Sequence, residues 1–282
     1  MTAGALESIL RRDRLVVVAS LAGLCVLSWL FLIHLAMRMD TMEGMAARMM
    51  GMPVEDAASA LLRNALSPGA AALADATVNF ALVALMWAVM MVGMMIPGAA
   101  PTVLLFSALE RRRAATDGIG GRTAAFVAGY LAIWSAFSIV AATTQTALAH
   151  ADLMSMQMAT TSTVLGGAVF IAAGLFEFTP LKDRCLIHCR SPLEWIPRHM
   201  RPGRSGAFRM GVEHGAYCVG CCWALMLLLF VGGVMNLLWV AILAAAVLVQ
   251  KVLAGGVIVA RSAGLALVVC GIVLLARPLV PA

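Results

Sequence analysis

The sequence predicts an all-α fold: a polytopic transmembrane helical bundle of about seven helices with a cytoplasmic N-terminus. Three observations lead there. The 282 residues are 62% hydrophobic and only 12% charged, too few charges to cover the surface of a water-soluble domain. Several apolar runs reach the roughly 20 residues needed to cross a bilayer. The 20 Lys and Arg against 14 Asp and Glu fall in alternate connecting segments, which is the pattern of membrane topology and not of nucleic-acid binding.

The apolar segments are, in order, 15–36, 78–106, 123–148, 161–178, 216–234, 237–250 and 261–279. Each is read as a helix, because unpaired backbone groups are too costly in hydrocarbon. Arg11, Arg12 and Arg14 ahead of the first segment resemble a signal-peptide n-region. That segment is too long for an h-region and no small-x-small site follows it, so it is read as a retained helix. The sixth segment is short and Arg261 blurs the start of the seventh, which leaves six as the competing count. These runs use up most of 1–282, leaving one transmembrane domain and no separate soluble one.

Orientation follows from the basic residues. Arg11, Arg12, Arg14, Arg111, Arg112, Arg113, Arg122, Lys182, Arg184, Arg190, Arg198, Arg201, Arg204, Arg209, Lys251 and Arg261 lie on one side, while Arg38, Arg48, Arg63 and Arg277 lie on the other. The richer side faces inward, which fits a multi-pass protein of the cell inner membrane. Two connections are long. The outer loop, 37–77, is Met-rich and opens with a short amphipathic helix ended by Pro53; the inner loop, 179–211, is basic, and Pro192, Pro197 and Pro202 argue against one continuous helix.

Sulfur dominates the candidate chemistry. Of 20 Met, seven crowd the outer loop: Met37, Met39, Met42, Met45, Met49, Met50 and Met52. Met154, Met156 and Met158 alternate in the second outer loop, after His150 and Asp152. Thioethers are soft, uncharged ligands suited to Cu(I), although Met also serves as flexible apolar filler. In the second helix Met86, Met90 and Met94 recur at steps of four and form one stripe, with Met91 and Met95 about 100° round the axis. Such a ladder could pass a soft ion; ordinary core packing is the competing account. Pro97 would free a carbonyl at its inner end.

On the inner side, Cys185, His188 and Cys189 lie in the long loop, and His214, Cys218, Cys221 and Cys222 open the fifth helix. The latter four share a helix face, being three and four residues apart. A reducing cytoplasmic side disfavours a structural disulfide and favours metal or redox chemistry. Thiolates with imidazole suit Cu(I), Zn²⁺ or an iron–sulfur cluster, and spacing alone does not choose. Cys25 and Cys270 are isolated within helices. His34 lies near the Met-rich loop, as a further ligand or an interfacial residue. Glu177 is expected to snorkel to the interface, His199 to be solvated or lipid-facing, and Asn236 to punctuate a tight turn. The only lysines, Lys182 and Lys251, flank helices, so no mid-membrane Schiff base is indicated. No P-loop, Rossmann glycine pattern or hydrolase triad can be drawn from the spacing.

The stretches MWAVMMVGMMIPGAAP, TPLKDRCLIHCRSPLEW and GVEHGAYCVGCCWALMLLLFVGGVMNLLWV together resemble a bacterial family of predicted metal-binding integral membrane proteins, domain of unknown function 2182. The resemblance spans about 86–251 and implies that Cys185, His188, Cys189, His214, Cys218, Cys221 and Cys222 form one metal site. A second likeness is to Ctr-type copper transporters, which combine an outer Met-rich segment, an MxxxM helix and an inner Cys/His end. Met86 and Met90 match that MxxxM; the helix count differs. The expectation is binding of a soft transition metal, Cu(I) foremost with zinc or iron open, for transport or delivery along Met86, Met90 and Met94 to the inner site. The alternatives are a membrane metallo-oxidoreductase subunit and a Zn-stabilised assembly or structural subunit. The lipid bilayer and the metal ion are the partners expected, with a partner protein or homo-oligomer open and nucleic acid excluded.

Overall fold

The computed structural model describes residues 15–37, 70–112, 119–155, 158–253 and 255–276. In chain order its helices are α1 (Leu15–Met37), α2 (Ala70–Arg112), α3 (Ile119–His150), α4 (Thr163–Phe176), α5 (Pro180–Arg190), α6 (Pro192–His199), α7 (Gly203–Leu227), the single turn α8 (Leu229–Gly232), α9 (Leu237–Val252) and α10 (Gly256–Ala276). Among the described residues the only β pairing is an isolated bridge between Met154 and Thr160.

Among the described residues, five helical stretches are long and apolar enough to cross a membrane: Leu15–Met37, Phe80–Arg111, Gly120–His150, Gly203–Gly232 and Gly256–Ala276. A sixth crossing is available if α4 and α5, bent by 65°, act as one broken span. The break has a local cause. Thr179 caps α5 by accepting from the Lys182 amide at 3.3 Å, and Pro180 at the first helical position cannot continue the preceding ladder. The last apolar helix, α9, has 16 residues, about 24 Å of rise against a core of roughly 30 Å. Asn236 caps it, accepting from the Trp239 amide at 3.1 Å.

The expected inner loop, 179–211, is largely helical. Its prolines set the breaks: Pro192 starts α6, Pro197 lies inside it, and Pro202 precedes α7. The final helix begins at Gly256, so Arg261 is inside it and reaches Asp183 at 3.6 Å. The outer residues 38–69, with most of the expected Met-rich loop, lie outside the described residues, as does Met156.

Bare glycine faces let the helices close. A Cβ at Gly129 would sit 2.1 Å from the Phe208 carbonyl oxygen, and one at Gly211 would sit 1.9 Å from that of Phe126. This locks α3 to α7, the most extensive helix pair. Gly174 and Gly264 do the same for α4 and α10. α1 and α10 expose large apolar side chains such as Leu27, Leu30, Ile258 and Leu265, which suits lipid contact. At the basic end, Arg122 pairs with Glu110 and donates to the carbonyls of Arg201 (2.7 Å) and Gly203 (2.9 Å), tying α2, α3 and the entry to α7 together.

Candidate metal centre

The spacing of His214, Cys218, Cys221 and Cys222 on α7 gives one inward face, and all four are at most 3% exposed. α5 packs against that face. Cys189 Sγ lies 3.9 Å from Cys221 Sγ. Cys189, Cys218, Cys221 and Cys222 belong to one buried cluster. The thiols of Cys221 and Cys222 donate to the Cys218 carbonyl at 3.1 and 3.0 Å. Cys185 lies above Gly220, where a Cβ would come 2.8 Å from its sulfur. All seven cysteines are free thiols.

Two polar groups converge on Cys218. Lys251 Nζ, from the last turn of α9, donates to Cys218 Sγ at 2.8 Å and lies 4.0 Å from Met95 Sδ. The Tyr130 hydroxyl of α3 is 3.1 Å from Cys218 Sγ and 3.3 Å from the Met95 carbonyl oxygen. Sequence spacing does not single out Lys251 or Tyr130. Lys251 reads as a flanking charge, yet it is only 7% exposed. Its route inward depends on Gly98 of α2, where a Cβ would stand 3.1 Å from the lysine Cδ.

The methionines of α2 are in the core. Met86, Met90, Met91, Met94 and Met95 are all at most 4% exposed and share one cluster with Cys189, Cys218, Cys221 and Cys222. The sulfur beside the Cys218–Lys251 contact belongs to Met95, on the second stripe. At the other end Gln145 accepts from Trp87 Nε1 (2.6 Å) and donates to Met158 Sδ (3.0 Å). Pro97 leaves the Gly93 carbonyl without its helical donor, and the Cys25 thiol of α1 reaches that oxygen at 3.6 Å.

The two histidines expected among the ligands have other neighbours. His214 lies among the rings of Tyr130, Trp195 and Phe126, with centroids 5.7, 5.8 and 6.1 Å away. His188 stacks on Tyr217 at 4.2 Å, and its Nδ1 lies 2.8 Å from the Arg184 carbonyl oxygen. Among the described residues no three His, Cys, Asp or Glu side chains are closed around a common point. A surface pocket lined by His188, Glu194, Trp195, Arg198 and His199 opens beside α5. His199 stacks on Trp195 at 5.0 Å, so it is not merely solvated.

Glu177 does not snorkel. It is fully buried, ion-paired with the fully buried Lys182, and its second oxygen accepts from Gln250 Nε2 at 3.1 Å. Lys182 also donates to Gln250 Oε1 at 2.8 Å. The triad is retained inside because each charge has its partner. It ties the α4–α5 bend to α9, and so holds Cys189 and Lys251 near the same face of α7.

A family model described as PpoB2, copper chaperone, matches residues 84–274. The match includes the α2 methionines, the α5 and α7 cysteines and Lys251. No curated protein and no solved structure matches the chain.

Proposed function

Because the chain belongs to the PpoB2 copper chaperone family, we propose that it binds Cu(I) within the inner membrane at its buried thiol cluster and delivers it from there. Copper is the cargo. The observation that carries the reading is the sulfur lining of one face of α7: Cys218, Cys221 and Cys222 buried together, with Cys189 Sγ 3.9 Å from Cys221 Sγ. Cu(I) prefers soft ligands, and thiolates add charge attraction that thioethers lack. The reading rests on capture by two thiols, since the histidines make aromatic contacts with Tyr130, Trp195, Phe126 and Tyr217.

Affinity rising from thioether to thiolate gives the movement a direction. The ion enters by the outer methionines, passes Met86, Met90 and Met94, and leaves the ladder at Met95 for Cys218 and its neighbours. The basic flanks support a cytoplasmic thiol end, where thiols stay reduced. The pocket at His188, Glu194 and His199 is the exit face at which an acceptor protein would collect the ion.

Replacing Cys189, Cys218 and Cys221 together by Ser tests this in the purified full chain. Competition against a chromophoric Cu(I) chelator should show one tightly held equivalent in the wild type. The variant should lose more affinity than the about 10–100-fold that removal of an outer-shell partner alone costs. Equal affinity in both proteins would show that copper does not bind at the thiols.

A further inference from the structure

The turn that joins α3 to α4 carries both non-glycine residues with positive φ among the described residues, Asp152 at 54° and Met158 at 55°. An L side chain rarely adopts that region, and a residue held there needs support from its surroundings. Met158 has it. Its amide donates to the Ser155 carbonyl at 2.9 Å, and its carbonyl accepts from the Val234 amide at 3.5 Å. The Thr160 amide donates to the Phe230 carbonyl of α8 at 2.7 Å, so the turn is fastened to the far end of the α7–α8 segment. The Met158 thioether in turn accepts from Gln145 Nε2 at 3.0 Å.

That contact serves the amide poorly. Gln145 is only 5% exposed, and a thioether is a weak acceptor for a buried N–H that an oxygen would satisfy better. What the contact fixes is the sulfur. Trp87 Nε1 can only donate, so its 2.6 Å bond to Gln145 Oε1 sets the amide's orientation and turns the NH₂ group toward Met158. Trp87 is fully buried on α2. Met90, Met91 and Met94 follow it at steps of three, four and seven, on the same helix face. Gln145 therefore ties a thioether from the turn to the outer end of the methionine face. Met154, bridged to Thr160, packs with Met158 against the cluster that contains Met86 and Met90.

We propose that Met154 and Met158 form a Cu(I) subsite at the outer mouth of the bundle, with Gln145 positioning the Met158 sulfur. This rests on the copper reading above. A thioether sulfur has two lone pairs: the Gln145 hydrogen bond takes one and leaves the other for a soft ion. Two uncharged thioethers suit Cu(I) and hold harder ions weakly. The ion moves on by ligand exchange, its bonds to Met154 and Met158 breaking as bonds to Met86 and Met90 form. No proton is released and copper stays Cu(I).

NMR of the full chain in detergent, with its methionine methyl groups isotopically labelled, reads each thioether separately. Met154→Leu and Met158→Leu assign the two signals, and the titration itself uses the unaltered chain with Ag(I) as the probe. Once the thiols are filled, further Ag(I) should shift the Met154 and Met158 signals together, and the same concentration of Zn²⁺ should leave them in place. A Met158 signal that never moves with Ag(I), or that moves equally with Zn²⁺, would overturn the subsite. Gln145→Leu should weaken the Ag(I) affinity read at Met158 by about 10–100-fold, the usual cost of losing a residue that orients a metal ligand, while the thiols keep wild-type affinity. Unchanged affinity at Met158, or a loss shared equally by the thiols, would overturn the positioning role. A wild type whose thiols bind no Ag(I) would instead overturn the copper reading, while the Met158 signal still decides the subsite.

Discussion

Met90 and Met94 are buried in the core, where Leu is close to them in volume and apolarity, so the sulfur is what separates an ion path from packing. Met90→Leu keeps volume and apolarity and should cost less than about 1.5 kcal/mol. If the stripe carries the ion, this variant should retain its inner-site affinity and fill that site more slowly in stopped-flow Ag(I) mixing. An unchanged filling rate would return the ladder to packing alone. Residues of this kind are legible in a sequence because the donor atom is written in the residue type and the helix period fixes the face. Lys251 and Glu177 are not. A charged residue at a helix end can point to water or inward, and the choice depends on distant positions: Gly98 makes room for Lys251, and Lys182 with Gln250 neutralises and caps Glu177.

Helix identity survives from sequence to structure better than helix ends and angles do. Each of the seven apolar segments overlaps a described helix, but the fourth ends in a 65° bend and α9 is short. The bend depends on a cap and a proline, and α5 beyond it carries the charged run Lys182–Asp183–Arg184, which hydropathy reads as loop. That helix brings Cys185 and Cys189 to α7; the sequence leads one to expect the two cysteine motifs together, but not the bent helix that joins them. The partner face was equally hidden, because α3 meets α7 through the absence of side chains. Gly211→Ala should therefore be severe for a single methyl. Its Cβ would meet the Phe126 backbone, which cannot swing aside as a side chain would, and a loss near the upper end of about 1–3 kcal/mol is expected. Thermal melting in detergent measures it, and wild-type melting would mean that the α3–α7 contact is looser than described.

For the molecule as a whole, an apolar bundle surrounds a polar seam at its basic end. Arg122 with Glu110 and Lys182 with Glu177 and Gln250 stiffen the seam, and the thiols with Lys251 form the part left open to chemistry. Composition predicted an all-helical apolar chain, and residue type supplied the soft donor atoms on which the proposed site rests. The copper assignment comes from membership of the PpoB2 copper chaperone family, since thiols and imidazoles alone suit several metals. The most direct test of the whole account is copper X-ray absorption on the purified chain loaded with one equivalent under reducing conditions. The account predicts Cu(I) bound directly to two or three sulfur neighbours. A shell dominated by nitrogen or oxygen, or the same spectrum after Cys189, Cys218 and Cys221 are replaced by Ser, would contradict it.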